Sequence, residues 1–495
     1  MNKTIIYLIY FCIYSAILLA IGKNSFRKGN TKEQFYLGGR ELNLSRCVLT
    51  FCGTWVSAAT ILGFTGGVFE SGYAALIYSV VPWFAGAVLL AFISDRLYQN
   101  DILTIPEFFR KRFGSKTLQV LFAVIMIVVY VFYLVIQIRG FGLVASTLFN
   151  IPYVFAILLI YLFILYSTFG GYHTVAKTDA FNLIALSVGL VMVFMVIVPR
   201  AGGIVAIHQK AAQISGYAYP AMPYATDRGD LLRLFGKGKF APLMSATMFF
   251  GWGLGLAANP QYAIRMISAK DQKTAKRTVL CSMVYLALLY FALLQIGLGM
   301  RVMFPSIGAV TETDGIFVHV INNLLYGPWS GFFLFSIIGA CISTANSELL
   351  LIASSFSYDI VGTLRRKPLG ESALLSLSRV SIFIGGTVSL LLSIHPPASL
   401  LTYGGDLWGV FGVTMFPTLY GSLLYPRTTR QGVWAGLISG LLCLGLFYPP
   451  YLAGVFAFHP AFPGTVVATL SFLTVSHLTY DYQEHRPRSK IQEEP

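Results

Sequence analysis

Thr50-Phe51-Cys52-Gly53-Thr54-Trp55-Val56-Ser57-Ala58-Ala59-Thr60, followed by Gly63, Gly66 and Gly67, is the least ordinary stretch of this chain. It lies inside an apolar run over 44–68 that is long enough to cross a bilayer. Its hydroxyls and glycines do not suit a lipid-facing helix, because glycine lowers helix stability. Backbone groups freed at membrane depth must line a cavity or be covered by protein. Two readings of the run are open. Either the helix is broken at a functional site, or its small residues let another helix approach closely.

A second run has the same character. It reads Gly251-Trp252-Gly253-Leu254-Gly255-Leu256-Ala257-Ala258-Asn259-Pro260-Gln261. Here proline removes a backbone donor as well.

The rest of the composition says what kind of molecule holds these runs. Of 495 residues, 56% are hydrophobic and 11% are charged. Mean hydropathy is +0.70. A soluble chain averages about 25% charged residues. A soluble enzyme, a nucleic-acid module and a disordered protein are excluded, which leaves an all-α polytopic membrane protein. Apolar runs predict about thirteen spans. They fall at 4–22, 44–68, 73–95, 117–147, 152–170, 178–198, 241–263, 278–301, 328–358, 376–394, 398–425, 431–448 and 462–480.

The net charge of +15 reads as topology rather than as a basic partner surface. Lys23, Arg27, Lys28 and Lys32 follow the first span, and only Lys3 precedes it. That bias puts the N-terminus outside. Arg110, Lys111, Arg112, Arg265, Lys270, Lys273, Arg365, Arg366 and Lys367 then fall in cytoplasmic connections, with the tail's Arg486, Arg488 and Lys490. Arg200, Lys210, Arg228 and Arg301 fall outside. The expected location is the cell membrane, multi-pass, with a cytoplasmic C-terminus.

The expected organisation follows the spans. Residues 1–43 form a first helix and a cytoplasmic loop. Residues 44–198 form one repeat, 199–240 an extracellular loop and 241–425 a second repeat. Residues 426–495 form two peripheral helices and a short tail. Each repeat opens on one of the two Gly-rich runs and holds about five spans, so the second begins on the opposite membrane face. Paired interrupted helices in inverted halves point to a secondary transporter with a midplane site.

Six cysteines lie in or beside apolar runs with no pairing motif. HExxH, GxSxG and Walker patterns are absent, so no catalytic set is expected and the chain is not read as an enzyme.

The ninth predicted span carries Ala340-Cys341-Ile342-Ser343-Thr344-Ala345-Asn346-Ser347-Glu348. Positions 340, 343, 344 and 347 share a helical face. Ser343 and Thr344 offer neutral hydroxyl oxygens that suit a hard monovalent cation, and carbonyls near Gly53 and Val56 can add more. The competing reading is bonding of these hydroxyls to their own preceding turn. Asp179 opens the sixth span, as a helix N-terminal carboxylate or as an ion ligand.

At these residues the sequence resembles the sodium:solute symporter family. The resemblance runs through Phe35-Tyr36-Leu37-Gly38-Gly39-Arg40, Leu103-Thr104-Ile105-Pro106-Glu107-Phe108 and Tyr166-Ser167-Thr168-Phe169-Gly170-Gly171 with Thr178-Asp179. It continues through Asn259-Pro260 with Arg265 and culminates in Ser343-Thr344-Ala345-Asn346-Ser347-Glu348-Leu349-Leu350. It implies a leucine-transporter-like core of two inverted five-helix repeats with flanking helices, and Na+-coupled import of a small solute by alternating access. It implies a sodium site made of Gly53, Val56, Ala340, Ser343 and Thr344, with Asp179 and Ser347 at a second ion or release path. Asn346 replaces the hydroxyl residue that members with a second ion use.

His395-Pro396-Pro397 and Phe458-His459-Pro460 resemble outer turns of pantothenate carriers, which implies an organic anion such as pantothenate. Trp55 stands where proline carriers have an aspartate, which argues against proline. Solute candidates near the midplane are Trp55, Ser57, Thr60, Gln137, Trp252, Leu256, Asn259 and Asp406, with Trp408 beside the last. Arg139 is the other intramembrane charge, set to meet a solute carboxylate, to snorkel to the outer interface or to pair with a protein carboxylate. The expected partners are a small-molecule solute and the lipid bilayer, with no nucleic acid and no obligatory protein partner. The alternative is a proton-coupled or uncoupled carrier of an amino acid or sugar. A channel or a sensor is more distant.

Overall fold

The computed structural model describes residues 3–25, 31–168, 170–396 and 399–480. Arg27, Lys28, Phe169, Pro397 and the tail's Arg486, Arg488 and Lys490 lie outside the described residues. In chain order the first half holds α1 (Lys3–Ser25), α2 (Leu44–Trp55), α3 (Ala59–Ser71), α4 (Tyr73–Gln99), α5 (Lys116–Phe149), α6 (Tyr153–Thr168) and α7 (Tyr172–Arg200). The second half holds α8 (242–257), α9 (Pro260–Ile267), α10 (Gln272–Met303), α11 (Thr313–His319), α12 (Ser330–Leu364), α13 (Glu371–Leu392) and α14 (Leu400–Leu424). Two helices follow, α15 (Arg430–Leu452) and α16 (Ala461–Thr479).

Among the described residues nine helices are long and apolar enough to cross a membrane, or ten if the bent pair α2–α3 is one span. The expectation of about thirteen exceeds this count. The apolar part of α1 is confined to Ile5–Ile21. Helix α6 has 16 residues. The run from α8 to α9 is interrupted at Ala258 and Asn259.

Helix α12 sits at the centre, since its most apolar window is 100% buried. The same window is 39% buried in α15 and 33% in α16, which makes those two peripheral. Leu442, Leu446 and Leu478 are more than two-thirds exposed on these outer helices, as lipid-facing side chains are.

Both Gly-rich runs do break, but not at their glycines. Helix α2 ends at Trp55, and Val56 takes extended angles (φ −80°, ψ 102°). The chain then bends by 61° into α3. In the second run Asn259 is an extended N-cap (φ −72°, ψ 120°) whose side chain accepts from the Gln261 N–H. Pro260 follows at the first helical position, where its missing donor costs nothing. The glycines serve close approach instead. A Cβ on Gly53 would stand 2.9 Å from the Asp179 carbonyl oxygen, and one on Gly255 would stand 2.4 Å from that of Trp408.

Two arginines assigned to connections are buried. Arg265 is 1% exposed and Arg301 is 0% exposed. Arg301 donates to the carbonyls of Pro305 and Gly216 and to the Thr226 hydroxyl. It thereby ties the 199–240 loop to α10. That loop contains a helix, Gly203–Ala211, and a bridge between Gly216 and Thr226. Helix α11, from the connection over 302–327, lies so close to α3 that a Cβ on Gly66 would meet the Thr313 carbonyl at 2.2 Å.

Candidate ion and solute site between the two helix breaks

Helices α2, α7 and α12 meet just before the first break. The Ser343 hydroxyl donates toward the Gly53 carbonyl at 2.9 Å and lies 2.5 Å from Asp179 Oδ1. The Thr344 hydroxyl lies 3.1 Å from the Thr54 carbonyl and 3.3 Å from that of Ala340. Both hydroxyls therefore reach across to the neighbouring helix, and Thr344 also bonds its own preceding turn. Thr54, which the sequence reading left out, supplies a carbonyl here. Val56 ends the helix, so its carbonyl is turned off the α2 ladder.

Asp179 is fully buried. Its Oδ2 accepts from the Thr50 hydroxyl at 2.6 Å and the Thr54 hydroxyl at 3.4 Å. Arg265 of α9 faces the same carboxylate at 3.6 Å. The arginine also donates to the Gln261 carbonyl at 2.8 Å and to the Ser347 hydroxyl, and lies over the Tyr172 ring. Ser347 returns to α2 through Thr54 at 3.1 Å. Asp179 and Ser347 are thus joined to the Ser343 cluster through one network, with Arg265 as its cation. An oxygen set of carbonyls, hydroxyls and one carboxylate fits a hard cation.

The proposed solute residues fall into two groups. Around the first break, the Trp55 ring N–H donates to the Tyr290 hydroxyl at 2.9 Å. The Thr60 hydroxyl reaches the Trp55 carbonyl at 3.2 Å and Tyr290 at 3.4 Å. Gln137 accepts from the Ala58 N–H at 3.3 Å, which covers one backbone donor freed by the break. Ser57 lies at the same break, buried beside these residues. Around the second break, Asn259 accepts from the Tyr130 hydroxyl at 2.6 Å.

Trp252 makes edge contacts with Trp83 and Trp408, at centroid distances of 4.8 and 4.9 Å. Tyr262 links the two groups, with its ring 5.3 Å from Trp55 and 5.7 Å from Trp408. Leu256 is buried behind them, facing Gly86 of α4.

Asp406 points elsewhere. It bonds His459 at 3.0 Å and Tyr451 at 3.4 Å, tying α14 to the peripheral helices. Its neighbour Trp408 is the residue of α14 that joins the aromatic cluster, through Trp252, Tyr262 and Tyr133. Arg139 pairs with Glu312 and, at 3.3 Å, with Asp314. Of its three readings, the protein-carboxylate pairing is the one the structure contains.

Arg265, Tyr130, Tyr133, Tyr262 and Tyr290 were not among the candidates. In the sequence Arg265 reads as a loop charge, because the apolar window closes before it. The tyrosines carry no signal that separates them from interfacial anchors.

The profile of the sodium:solute symporter family matches residues 35–440. Sodium/proline symporters of Staphylococcus aureus, from strains USA300 and NCTC 8325 / PS 47, are 25% identical over 491 residues, covering 95% of this chain and 92% of theirs. A Na+-coupled sialic acid symporter, solved in a substrate-bound outward-open state, superposes with a TM-score of 0.78 at 19% identity, over 96% of this chain and 97% of that one. A nucleobase-cation-symport-1 family transporter, closed around bromovinylhydantoin, gives 0.57 at 14% identity, over 90% and 93%. Na+ is the coupling ion that goes with this assignment, and the apolar helices make it a multi-pass membrane protein. The chain belongs to the sodium:solute symporter family.

Proposed function

We propose that this chain imports a small organic solute with Na+ by alternating access, and that the ion sits where α2 and α12 meet. The Gly53, Val56 and Ala340 carbonyls and the Ser343 and Thr344 hydroxyls form that site, with Thr54 as a further carbonyl. Asp179 and Ser347 lie on its inner release path. The observation that carries this reading is the pair of adjacent hydroxyls, Ser343 and Thr344, held on the Gly53 and Thr54 carbonyls just before the first break. A cation there draws α2 toward α12, so binding favours one arrangement of the two halves over the other.

The solute lies between the two breaks, among Trp55, Ser57, Thr60, Gln137, Trp252, Leu256 and Asn259. Asp406 acts on this region only indirectly, by anchoring α14, which carries Trp408 into it, to His459 and Tyr451. Two inverted five-helix repeats account for the paired breaks, as in other carriers built this way. The N-terminus lies outside. Lys3 bonds the Asn322 carbonyl in the 302–327 connection, on the side where Arg301 holds the 199–240 loop, which supports that orientation.

The relatives' names speak of proline, and the solved neighbours' titles of sialic acid and a hydantoin, so nothing in these matches supports pantothenate. The test is uptake by purified protein in liposomes. Solute accumulation requires an inward Na+ gradient. Equal accumulation driven by a proton gradient without Na+ excludes the reading.

A further inference from the structure

Thr363, in the last turn of α12, is 3% exposed, and its hydroxyl has no hydrogen-bond partner among the described residues. It lines a cavity of about 140 Å³ at the inner end of that helix. A buried hydroxyl left without a partner is costly and calls for an explanation.

Three other segments close on this cavity. Lys32 opens a short helix, Lys32–Leu37, Arg110 lies in the helix Ile105–Phe113, and Glu371 begins α13. Hydrogen bonds fix each segment in place. Tyr36 bonds Ser357 and Ser378 at 2.8 and 2.7 Å. Tyr358 donates to Glu107 at 2.8 Å, and Glu371 accepts from the Lys32 backbone N–H at 2.6 Å. The cavity is therefore built by packed elements.

Its lining carries two cations, Lys32 and Arg110, against one carboxylate, Glu371. Among the described residues the Lys32 ammonium pairs with no carboxylate, and it lies over the Tyr358 ring at 5.7 Å. Arg110 shares Glu107 with Lys111, at 3.3 and 3.6 Å, and stays 35% exposed. Arg365, Arg366 and Lys367 follow in the chain, all exposed. An ammonium, a guanidinium and an unused hydroxyl make a donor set for phosphate oxygens.

The surroundings select a lipid as the source of that phosphate. Leu364, next to Thr363, is 64% exposed. Val380, Phe383 and Ile384 of α13 are 50–54% exposed, as lipid-facing side chains are. Apolar surface thus borders the cationic rim. On the orientation proposed above this end of α12 is cytoplasmic, where basic pockets between helices hold anionic headgroups.

We propose that this cavity binds the phosphate of an anionic phospholipid of the inner leaflet, with Lys32, Arg110 and Thr363 as donors. The bound lipid ties the two short helices and α13 to α12, the helix that carries Ser343 and Thr344. The inference goes beyond the symport reading, and its readout needs neither Na+ nor solute.

The test is lipid binding by the purified full chain in detergent, followed by native mass spectrometry. The probes are short-chain phosphatidylglycerol, phosphatidylcholine of the same chain length and inorganic phosphate. The wild type should bind phosphatidylglycerol saturably and prefer it about 10-fold over phosphatidylcholine, whose choline meets the cationic rim. Lys32→Gln and Arg110→Gln should each weaken it about 5-fold. Thr363→Val, which keeps the branched shape, should weaken it about 10-fold. Lys273→Gln, on α10 and outside this cavity, should leave it unchanged.

The two cation variants alter exposed or half-exposed side chains, so they keep the test open if Thr363→Val fails to fold. Unchanged phosphatidylglycerol affinity in both of them overturns the proposal. An equal loss in Lys273→Gln overturns it too, because the attraction is then general to the basic face. Inorganic phosphate bound as tightly as the lipid assigns the cavity to a soluble anion and likewise overturns it.

Discussion

Ser343 and Asp179, on different helices, stand 2.5 Å apart, oxygen to oxygen, and the same hydroxyl reaches the Gly53 carbonyl. One side chain of α12 thus reads the position of both α2 and α7. Removing it in Ser343→Ala leaves a buried carboxylate with fewer donors, a loss of about 1–3 kcal/mol. Thr344→Ala removes a contact to α2 without touching Asp179. Both variants should raise the Na+ concentration for half-maximal uptake and leave expression intact, with Ser343→Ala the more severe. Sodium activation curves at fixed solute check this, and an unchanged curve for Thr344→Ala removes that residue from the site.

Gly53 should tolerate no side chain. A Cβ there would lie 2.9 Å from the Asp179 carbonyl oxygen and 3.1 Å from its Cβ. Backbone cannot yield as a side chain does, so Gly53→Ala must push α2 away from α7. Overpacking of this kind costs about 1–3 kcal/mol. The expected result is a lower thermal midpoint in detergent and a weaker Na+ response, whereas Gly63→Ala, where the nearest atom is at 3.2 Å, should be milder.

The buried pair of Asp179 and Arg265 predicts an asymmetric mutational response. Removing one partner leaves an uncompensated charge, at about 3–5 kcal/mol. Arg265→Gln alone should abolish uptake and destabilise the protein. Asp179→Asn with Arg265→Gln should recover thermal stability, because both charges are gone, without recovering Na+ coupling. A double-mutant cycle on the thermal midpoint measures the coupling.

These residues also show what a sequence can and cannot disclose. Ser343 and Thr344 were legible because adjacent hydroxyls stand out on an apolar helix. The second break was legible because Pro260 marks it. The first break carries no proline, and its glycines lie before and after it. The break is instead supported from outside, by Gln137 on the Ala58 N–H. Arg265 reads as a loop charge because the apolar window closes before it, and its pairing with Asp179 is hidden because that partner is remote in the chain. Asp406 draws notice because an intramembrane carboxylate is unusual, and its partner His459 lies 53 residues further along the chain. Tertiary pairing decides all three, and no local pattern encodes it.

His459 accepts from the Ala461 N–H through Nδ1 at 3.2 Å, so Nε2 carries the proton that goes to Asp406. A Cβ on Gly251 or Gly409 would stand 3.1 or 3.0 Å from its ring. The imidazole therefore wedges between α8 and α14, beside the second Gly-rich run, and locks the peripheral helices to the core. His459→Ala removes both the bond and the wedge and leaves Asp406 with the weaker Tyr451 contact at 3.4 Å. The expected outcome is a loss of thermal stability of about 2–4 kcal/mol, by cavity formation and loss of a charge-assisted bond. His459→Gln, which can keep a donor to Asp406, should recover part of it. Half-maximal Na+ should stay close to wild type in both, because this contact lies outside the Ser343 network. A large shift in Na+ activation by His459→Gln would mean that α14 transmits to the ion site through this residue.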